Sequence, residues 1–307
     1  MSMIKRIEYS EEPKKWKDED LIKVVTGIRR CGKSTLLELF IEYLKEEKID
    51  EEHIVSINLE SLEYNFSNCK DLYFYVVSKI KNDKKYYVFL DEIQNIEGFQ
   101  KAVDIYITGS NAFLLSGELA TLLTERYVEI KMLPLSFKEY VSAFSGKYNY
   151  QSLFLEYMKN GGMHGIISVL DLGINDINKY LDSIFSTVVF KDIMARNKIT
   201  DKTILENIIK FILENIVYLE LLRRGYRVYV GKIDDLKIDF VAENQGGLKY
   251  FQVSLTVRDA KVLERELRSL QRTGDHYPKH LITMDMDLSS DYDVITKINV
   301  IDWLLEK

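Results

Sequence analysis

One short segment limits the fold of this chain more than any other, because it fits G-x-x-x-x-G-K-[ST] between a strand and a helix. It reads Gly27-Ile28-Arg29-Arg30-Cys31-Gly32-Lys33-Ser34. Glycines let the backbone N–H groups of such a loop turn inward around phosphate oxygens, and the lysine reaches the β and γ phosphates. The segment therefore predicts a phosphate-binding loop of the Walker A type, with Ser34 as a magnesium ligand.

A chance glycine-containing turn is the alternative, but the strand, the loop, the Lys-Ser pair and the helix all occur in the required order. Cys31 fills space in this interpretation and is not a nucleophile. We assign nucleotide binding to eight residues in and next to the loop: Gly27, Arg29, Arg30, Cys31, Gly32, Lys33, Ser34 and Thr35.

The residues around this loop alternate short apolar runs with helical ones. Strands are predicted at 21–26, 53–59, 86–90, 104–108 and 126–130, and helices at 34–48 and 71–80. Apolar strands that alternate with helices are typical of a parallel sheet covered on both faces. We therefore predict an α/β fold, with a P-loop NTPase sheet and flanking helices.

A second apolar strand ends in two acids, Asp91 and Glu92, which is a Walker B pattern. Asp91 suits the magnesium shell, and Glu92 suits the general base that polarises the attacking water. Two carboxylates that merely solvate a strand end are the alternative. The strand at 104–108 also ends in polar residues, and Ser110 or Asn111 would position that water or cap a helix, two readings of equal weight.

Composition removes several classes of function. The chain has 307 residues, 46% of them hydrophobic, with two cysteines and four histidines, which excludes a disulfide scaffold and the usual closed zinc site. The net charge of −6 argues against wholesale wrapping of nucleic acid. Neither a membrane span nor a signal peptide is evident, so we expect a cytoplasmic protein.

One connection is at the lower limit of what a parallel sheet normally allows, with no residues left for a loop after its helix. Only twelve residues separate Asp91 from Asp104, whereas a crossover between parallel strands needs about a dozen or more, including its helix. We hypothesise that residues are absent from this sequence near Val103-Asp104. The mass of the product of the source gene tests this.

These motifs together resemble AAA-type ATPases of archaea and bacteria whose C-terminal half is a nuclease-like domain of unknown function. The resemblance covers nearly the whole chain and includes Leu90-Asp91-Glu92-Ile93-Gln94, Ile107-Thr108-Gly109-Ser110-Asn111 and Leu133-Pro134-Leu135-Ser136-Phe137. It implies ATP and Mg²⁺ as ligands, an AAA-like sheet order, and Arg126 as an arginine that completes a neighbour's site in a homo-oligomer. Glu125 stands where the family usually has glycine, and the family usually has a longer segment before Glu214.

The C-terminal part resembles the core of PD-(D/E)xK nucleases, with a hairpin at 237–242 and 249–254. Such an enzyme needs two carboxylates for magnesium and a lysine two residues after the second one. Asp239 is present, but Gln252 and Ser254 replace the other two groups. Glu214 or Glu220 would add an acid without restoring the lysine. The metal site is thus predicted to be lost, which disfavours nuclease activity and favours a retained fold used for binding or assembly.

The helix predicted at 259–272 carries basic residues on one face. We call Lys261, Arg265, Arg268 and Arg272 the basic stripe. Their spacing of three and four residues places them together, opposite Leu263, Leu267 and Leu270. A solvated face diluted by Glu264 and Glu266 is one reading, and contact with a nucleic-acid backbone is the other.

We divide the chain into an ATPase domain at 1–135, a helical connector at 136–213 and a degenerate nuclease-like domain at 214–307. We expect a Mg²⁺-dependent ATPase, with Glu92, Asn111 and Arg126 as its catalytic residues and with Ser34 and Asp91 as its metal ligands. Its nucleotide state would govern assembly or partner binding. A non-hydrolysing nucleotide-dependent scaffold is the alternative, followed by an ATP-regulated DNA nuclease.

Overall fold

The fold is known from a computed structural model. It describes residues 6–28, 30–61, 63–64, 66, 69–91, 104–109, 127–144, 149–166, 202–286 and 290–306. The described residues up to Leu135, together with those from Met163 to Ile166, form one compact unit. The described residues of Ser136–Gly162 and those from 202 onward form a second compact unit. Each unit is built around its own sheet.

The first unit contains a five-stranded parallel sheet, as the sequence predicts. Its strands, in the order β2-β3-β4-β1-β5, pair only in parallel. They are β1 (Ile22–Gly27), β2 (Ile54–Asn58), β3 (Tyr87–Asp91), β4 (Asp104–Thr108) and β5 (Tyr127–Met132). In this order β4 lies between β1, which precedes the P-loop, and β3, which leads into the two acids. The same arrangement is found in P-loop NTPases.

Helices cover both faces of this sheet. They are α1 (Ile7–Lys15), α2 (Lys33–Glu46) and α3 (Cys69–Lys79), with a short 3-10 helix at Glu51–His53. Successive strand residues point to opposite faces, so Val25 packs in the cluster that contains Phe40 of α2, while Val24 packs in the cluster that contains Leu72 of α3. The three central strands β1, β3 and β4 are almost wholly buried, which explains their long hydrophobic runs.

The predicted strands and helices of this unit lie within about two residues of the observed ones. Helix α1 was not predicted, because its charged sequence lacks an obvious apolar periodicity. Strands β3 and β4 are direct parallel neighbours, so their crossover lies in the twelve residues 92–103, which are outside the described residues. At the start of β4, a buried ion pair joins Asp104 to Lys23 of β1.

The second unit contains a six-stranded mixed sheet in the order β10-β11-β9-β8-β7-β6. Its strands are β6 (Arg227–Ile233), β7 (Leu236–Asn244), β8 (Gly247–Ser254), β9 (Lys279–Thr283), β10 (Ser290–Tyr292) and β11 (Ile295–Asn299). Its helices are α4 (Phe137–Ser142), α5 (Tyr150–Asn160), α6 (Lys202–Arg223), α7 (Ala260–Gln271) and α8 (Val300–Leu305). The predicted hairpin is confirmed, since β7 and β8 pair antiparallel.

Helix α6 continues through residue 213, where we predict the connector to meet the nuclease-like domain. Helix α7 begins after Asp259, whose carboxylate accepts hydrogen bonds from the N–H groups of Lys261 and Val262. Leu267 and Leu270 of α7 pack in a core with Ile238 and Leu281. The functions assigned to the three predicted domains stay predictions.

Candidate nucleotide-binding site

The loop between β1 and α2 adopts a backbone conformation that depends on its two glycines. A side-chain Cβ at Gly27 would lie 2.6 Å from the carbonyl oxygen of Met132 on β5, so only glycine fits there. Gly32 and Arg30 have positive φ angles of 97° and 65°, which glycine tolerates and arginine adopts at a cost of about 1–3 kcal/mol. Left-handed residues of this kind help to form the backbone concavities that bind anions.

The ammonium group of Lys33 lies over the loop. Lys33 is 4% exposed, and its Nζ donates to the carbonyl oxygens of Gly27 and Ile28 at 3.3 and 3.2 Å. Both acceptors are neutral, and a charged phosphate oxygen forms a stronger hydrogen bond with an ammonium group. A bound nucleotide would therefore replace these carbonyls as the partner of Lys33. The buried ammonium group would stay paired.

Cys31 lies in the loop core, as the space-filling interpretation expects. It is fully buried, and burial raises the pKa of its thiol, although the positive charges of Lys33 and Arg6 oppose this effect. A protonated, buried thiol is a poor nucleophile. Its backbone N–H donates to the carbonyl of Ile28 at 3.3 Å, which closes the turn of the loop.

The C-terminal ends of β1, β3 and β4 meet at one edge of the sheet. Val25 of β1 pairs with Thr108, and Leu90 of β3 pairs with Ile107. The hydroxyl of Thr108, on the one strand between the two Walker strands, donates a hydrogen bond to Oδ1 of Asp91 on the neighbouring strand. Among the described residues, no side chain is bonded to the other carboxylate oxygen of Asp91, which suits that oxygen to a further ligand.

Ser34 and Thr35 begin α2 and are half-buried. The N-cap of α2 is Gly32, which has no side chain to accept hydrogen bonds from the first N–H groups of the helix. Those donors, with the hydroxyl of Ser34 and the carboxylate of Asp91, are the ligands that phosphate and Mg²⁺ require. The residues present therefore fit a magnesium nucleotide.

Several predicted site residues cannot be placed. Arg29 and the three predicted catalytic residues lie outside the described residues, as does the water-positioning candidate Ser110: Arg29, Glu92, Ser110, Asn111 and Arg126. Their roles stay predictions from the sequence.

The structure adds three residues that the sequence analysis did not assign to the site. Thr108 was quoted only as part of a motif. The ring of His164 lies against the loop, with Cδ2 only 3.1 Å from where a Cβ of Gly32 would be. Arg6 donates to the carbonyl of Cys31 at 2.7 Å. No local sequence pattern signals these contacts, because they join residues far apart in the chain.

The second unit holds a buried polar network where a nuclease would bind metal. Buried Asp239 accepts from the N–H of Val253 at 2.9 Å and pairs at 3.2 Å with Nζ of Lys237, whose side chain reaches it from the surface and is 59% exposed. The amide of Gln252 donates to Oε2 of Glu266 at 2.8 Å. Burial lowers the pKa of Lys237, but the carboxylates of Asp239, Glu214 and Glu266 raise it more, so Lys237 is held in its charged form.

The two glutamates named as spare acids differ. Burial and, after it, the charge of Asp239 raise the pKa of Glu214. The Glu214 carboxylate lies 3.7 Å from Nζ of Lys210, which lies 3.9 Å from Glu266 of this network. Glu220 instead pairs with Arg224 at 3.0 Å and with Arg223 at 3.3 Å. The hydroxyl of Ser254, at the position of the missing lysine, donates to the carbonyl of Thr256.

The basic stripe is exposed, and Leu267 and Leu270 are buried on the opposite side of α7, as predicted. Glu266, one of the two acids expected to dilute the stripe, is buried at 3% exposure and still pairs with Arg265 of the stripe. Its carboxylate turns inward to Gln252, and the bond from Arg265 measures 2.6 Å.

Comparison with known proteins agrees with this geometry. Residues 19–141 match the family described as AAA domain. A protein of Haemophilus influenzae that carries no assigned function is 33% identical over 403 aligned residues, which span 99% of this chain and 99% of that protein. The chain belongs to this family of AAA-type P-loop ATPases. A second relative, an uncharacterised protein of Methanocaldococcus jannaschii, is 31% identical over 58% of this chain and 43% of its own length.

This AAA-type ATPase lacks internal residues that the Haemophilus relative has. The alignment has 403 positions and spans nearly all of both chains, but this chain has only 307 residues. The remaining positions are therefore occupied by the relative alone. This agrees with the hypothesis that residues are absent from the present sequence. Their position near Val103-Asp104 and before Glu214 stays a prediction.

Two solved structures show weaker similarity to the AAA-type ATPase. A closed state of Hsp104 with ATPγS and casein aligns with 73% of this chain and 51% of its own, at 14% identity and a TM-score of 0.41. A DNA polymerase III gamma subunit-related protein of Thermotoga maritima aligns with 74% and 88%, at 13% identity and 0.34. The assignment rests on the family match and not on these. Among the helices of the described residues, none is both long and apolar enough to cross a membrane.

Proposed function

We propose that the protein binds ATP with Mg²⁺ and hydrolyses it, and that its nucleotide state governs self-assembly or the binding of a partner. The proposal rests on one observation: the C-terminal ends of β1, β4 and β3 lie together at one edge of the sheet. There the loop with Lys33 follows one strand, Asp91 ends another, and Thr108 on the strand between them bonds to Asp91. The proposed location is the cytoplasm, as expected from the sequence.

Each group at this edge has a defined task. The loop N–H groups and Lys33 would hold the β and γ phosphates, and Ser34 and Asp91 would hold the metal. When bound, Mg²⁺ neutralises charge that develops on the phosphate oxygens. Thr108 fixes the orientation of the Asp91 carboxylate, and Glu92, which directly follows Asp91, would orient and polarise water.

A non-hydrolysing scaffold that binds nucleotide is the second candidate. The feature in its favour is Glu125 beside Arg126, since an ion pair between them would weaken an arginine that acts on a neighbour's nucleotide. A DNA nuclease is disfavoured, because Gln252 and Ser254 stand where the second acid and the lysine would be, and Gln252 is hydrogen bonded to Glu266.

Turnover of ATP, measured with and without DNA and with parallel inspection for DNA cleavage, separates these functions. We expect Mg²⁺-dependent turnover and intact DNA. Tight ATP binding without turnover would favour the scaffold, and cleavage that requires Mg²⁺ would favour the nuclease.

Assembly has its own test. We expect Arg126→Ala to lower turnover without lowering ATP affinity, and Glu92→Gln to bind ATP but hydrolyse it at least about tenfold more slowly. If Arg126 acts on the neighbouring subunit, mixing the two inactive variants restores part of the activity. Absence of recovery on mixing would remove the oligomeric version of the proposal.

A further inference from the structure

Arg6 lies just before α1 and is among the most buried charged residues of the first unit. It is 1% exposed, and its guanidinium reaches two separate stretches of backbone. Nη1 donates to the carbonyl of Cys31 at 2.7 Å, and Nη2 donates to the carbonyl of Leu133 at 2.8 Å. The guanidinium also lies over the ring of Tyr9, 4.6 Å from its centroid. A buried charge is costly unless hydrogen bonded, so these contacts fix its position.

The contact with Cys31 fixes the orientation of a whole peptide group and not only that of one carbonyl. A trans peptide is planar, so its C=O and the N–H of the next residue point in opposite directions. When Arg6 holds the Cys31 carbonyl, the N–H of Gly32 is directed away from Arg6. The guanidinium fork is rigid and has donors on both arms, so it also ties this peptide to the end of β5.

We propose that Arg6 is a positioning residue for the nucleotide, which holds the Cys31–Gly32 peptide so that the loop donors are set before ATP arrives. This inference rests on the proposed function of the loop as an ATP site. Without Arg6 the peptide is free to rotate, and ATP binding must then supply the ordering that Arg6 supplies in advance. The loss is therefore expected in ATP affinity, beyond any loss of stability.

A merely structural role for Arg6 is the alternative, and Tyr9 provides the matched control. The Tyr9 hydroxyl accepts from the N–H of Leu133 at 3.1 Å, so it anchors the same end of β5. Tyr9 and Cys31 pack in the same core cluster, but among the described residues no hydrogen bond joins the Tyr9 hydroxyl to Cys31. Tyr9→Phe removes this anchor and keeps the ring under Arg6. It reports what a loosened β5 end does to the loop by itself.

The experiment measures the Kd of a fluorescent ATP analogue and the thermal midpoint for wild type, Arg6→Met, Arg6→Lys, Tyr9→Phe and Lys33→Ala. We expect Arg6→Met to raise the Kd at least about tenfold and Arg6→Lys to raise it less, because lysine keeps the charge but not the fork. Tyr9→Phe should lower the midpoint and keep the Kd within about twofold. In Arg6→Ala, added guanidinium below denaturing concentration should restore affinity, while urea should not.

The outcomes separate this inference from the function on which it rests. If wild type binds no ATP analogue, the proposed function is wrong. If wild type binds, Lys33→Ala does not, and both Arg6→Met and Arg6→Lys bind like wild type, Arg6 has no positioning role. An equal rise in Kd for Tyr9→Phe and Arg6→Met would also overturn it. Should Arg6→Met and Arg6→Ala fail to fold, unchanged affinity in Arg6→Lys decides against the proposal.

Discussion

In the first unit Lys33 is bonded to the neutral carbonyls of its own loop, whereas in the second unit Lys237 is bonded to the carboxylate of Asp239. The first lysine gains by exchanging its partners for phosphate oxygens, because charged acceptors bind it more strongly. The second already has a charged partner and would lose it to an incoming ligand. Polar residues at strand ends therefore indicate a ligand site only when their charges are still uncompensated.

The same difference applies to the carboxylates. Asp91 is held through one oxygen by the Thr108 hydroxyl, a neutral donor that leaves its charge in place. Asp239 has a backbone N–H on one oxygen and an ammonium group on the other. The first arrangement suits a metal ligand, and the second performs the neutralisation that a metal would otherwise provide.

The largest expected effect is that of Lys33→Ala on ATP binding. The substitution removes the ammonium group that the loop holds for the phosphates, and charge-assisted bonds of this kind are worth about 3 kcal/mol or more together, on the order of a hundredfold in affinity. Calorimetric titration with ATP and Mg²⁺ measures this. The matched control is Lys45→Ala on the same helix, which loses only an exposed ion pair with Glu51. Wild-type affinity in Lys33→Ala would contradict the site.

The loop could be predicted from sequence because its information is local. A strand, two glycines, a Lys-Ser pair and a helix follow one another within a short segment, and apolar runs indicate strands that are buried on both faces. Arg6 could not be predicted in this way, since it contacts Cys31 and Leu133, which are 25 and 127 positions away. A charged N-terminal segment reads as solvated until the fold brings those carbonyls together.

Glu266 shows the same limit in the second unit. On the helix pattern it belongs near the basic stripe, and sequence analysis placed it at the surface. The structure buries it because Gln252 on β8 offers an amide donor. A cross-element hydrogen bond of this kind leaves no periodicity in the sequence.

The next largest effect is expected from Gln252→Glu, which restores the acid of a nuclease pattern. The new carboxylate would face Glu266 at the distance of the present hydrogen bond from the Gln252 amide. Two like charges would then be buried together. We expect a loss of about 2 kcal/mol or more in the free energy of unfolding at neutral pH. The loss should shrink as the pH falls, because a proton bound by either carboxyl restores a donor between them.

Denaturant unfolding of two further variants sharpens this result. Gln271→Glu makes the same change at an exposed position of α7 and should cost within about 0.5 kcal/mol. Combining Gln252→Glu with Glu266→Gln restores the bond with its roles exchanged, so the double variant should be more stable than Gln252→Glu alone. Equal stability of wild type and Gln252→Glu at neutral pH would mean that the network is not closed.

A smaller effect is expected from Thr108→Val, which keeps the shape of the side chain and removes its hydroxyl. The Asp91 carboxylate would lose the donor that orients it, at a cost of about 1.5 kcal/mol. We therefore expect the Mg²⁺ concentration for half-maximal ATP turnover to rise about tenfold, which is the equivalent of that cost. Thr108→Ser keeps the hydroxyl and should stay near wild type. If both variants need the same Mg²⁺ concentration as wild type, Thr108 does not position Asp91.

The smallest effect on the first unit is expected from replacing the basic stripe, whose own role would be in binding nucleic acid. If Lys261, Arg265, Arg268 and Arg272 contact a phosphate backbone, binding should ignore base sequence and weaken with salt, at a log–log slope of about −0.9 per contact and at most about −3.6 for four. Because Arg265 already bonds to Glu266, we expect a slope nearer that of three contacts, about −2.7.

The control replaces all four stripe residues by Glu and measures two quantities. Nucleic-acid binding should be nearly abolished, while ATP turnover without nucleic acid should stay unchanged, because the stripe lies in the other compact unit from the phosphate-binding loop. If wild type binds neither DNA nor RNA even at low salt, the stripe is a solvated face. The closed network of the second unit then serves to keep a stable fold for a protein partner or for self-assembly, since neither metal chemistry nor nucleic acid would remain to explain it.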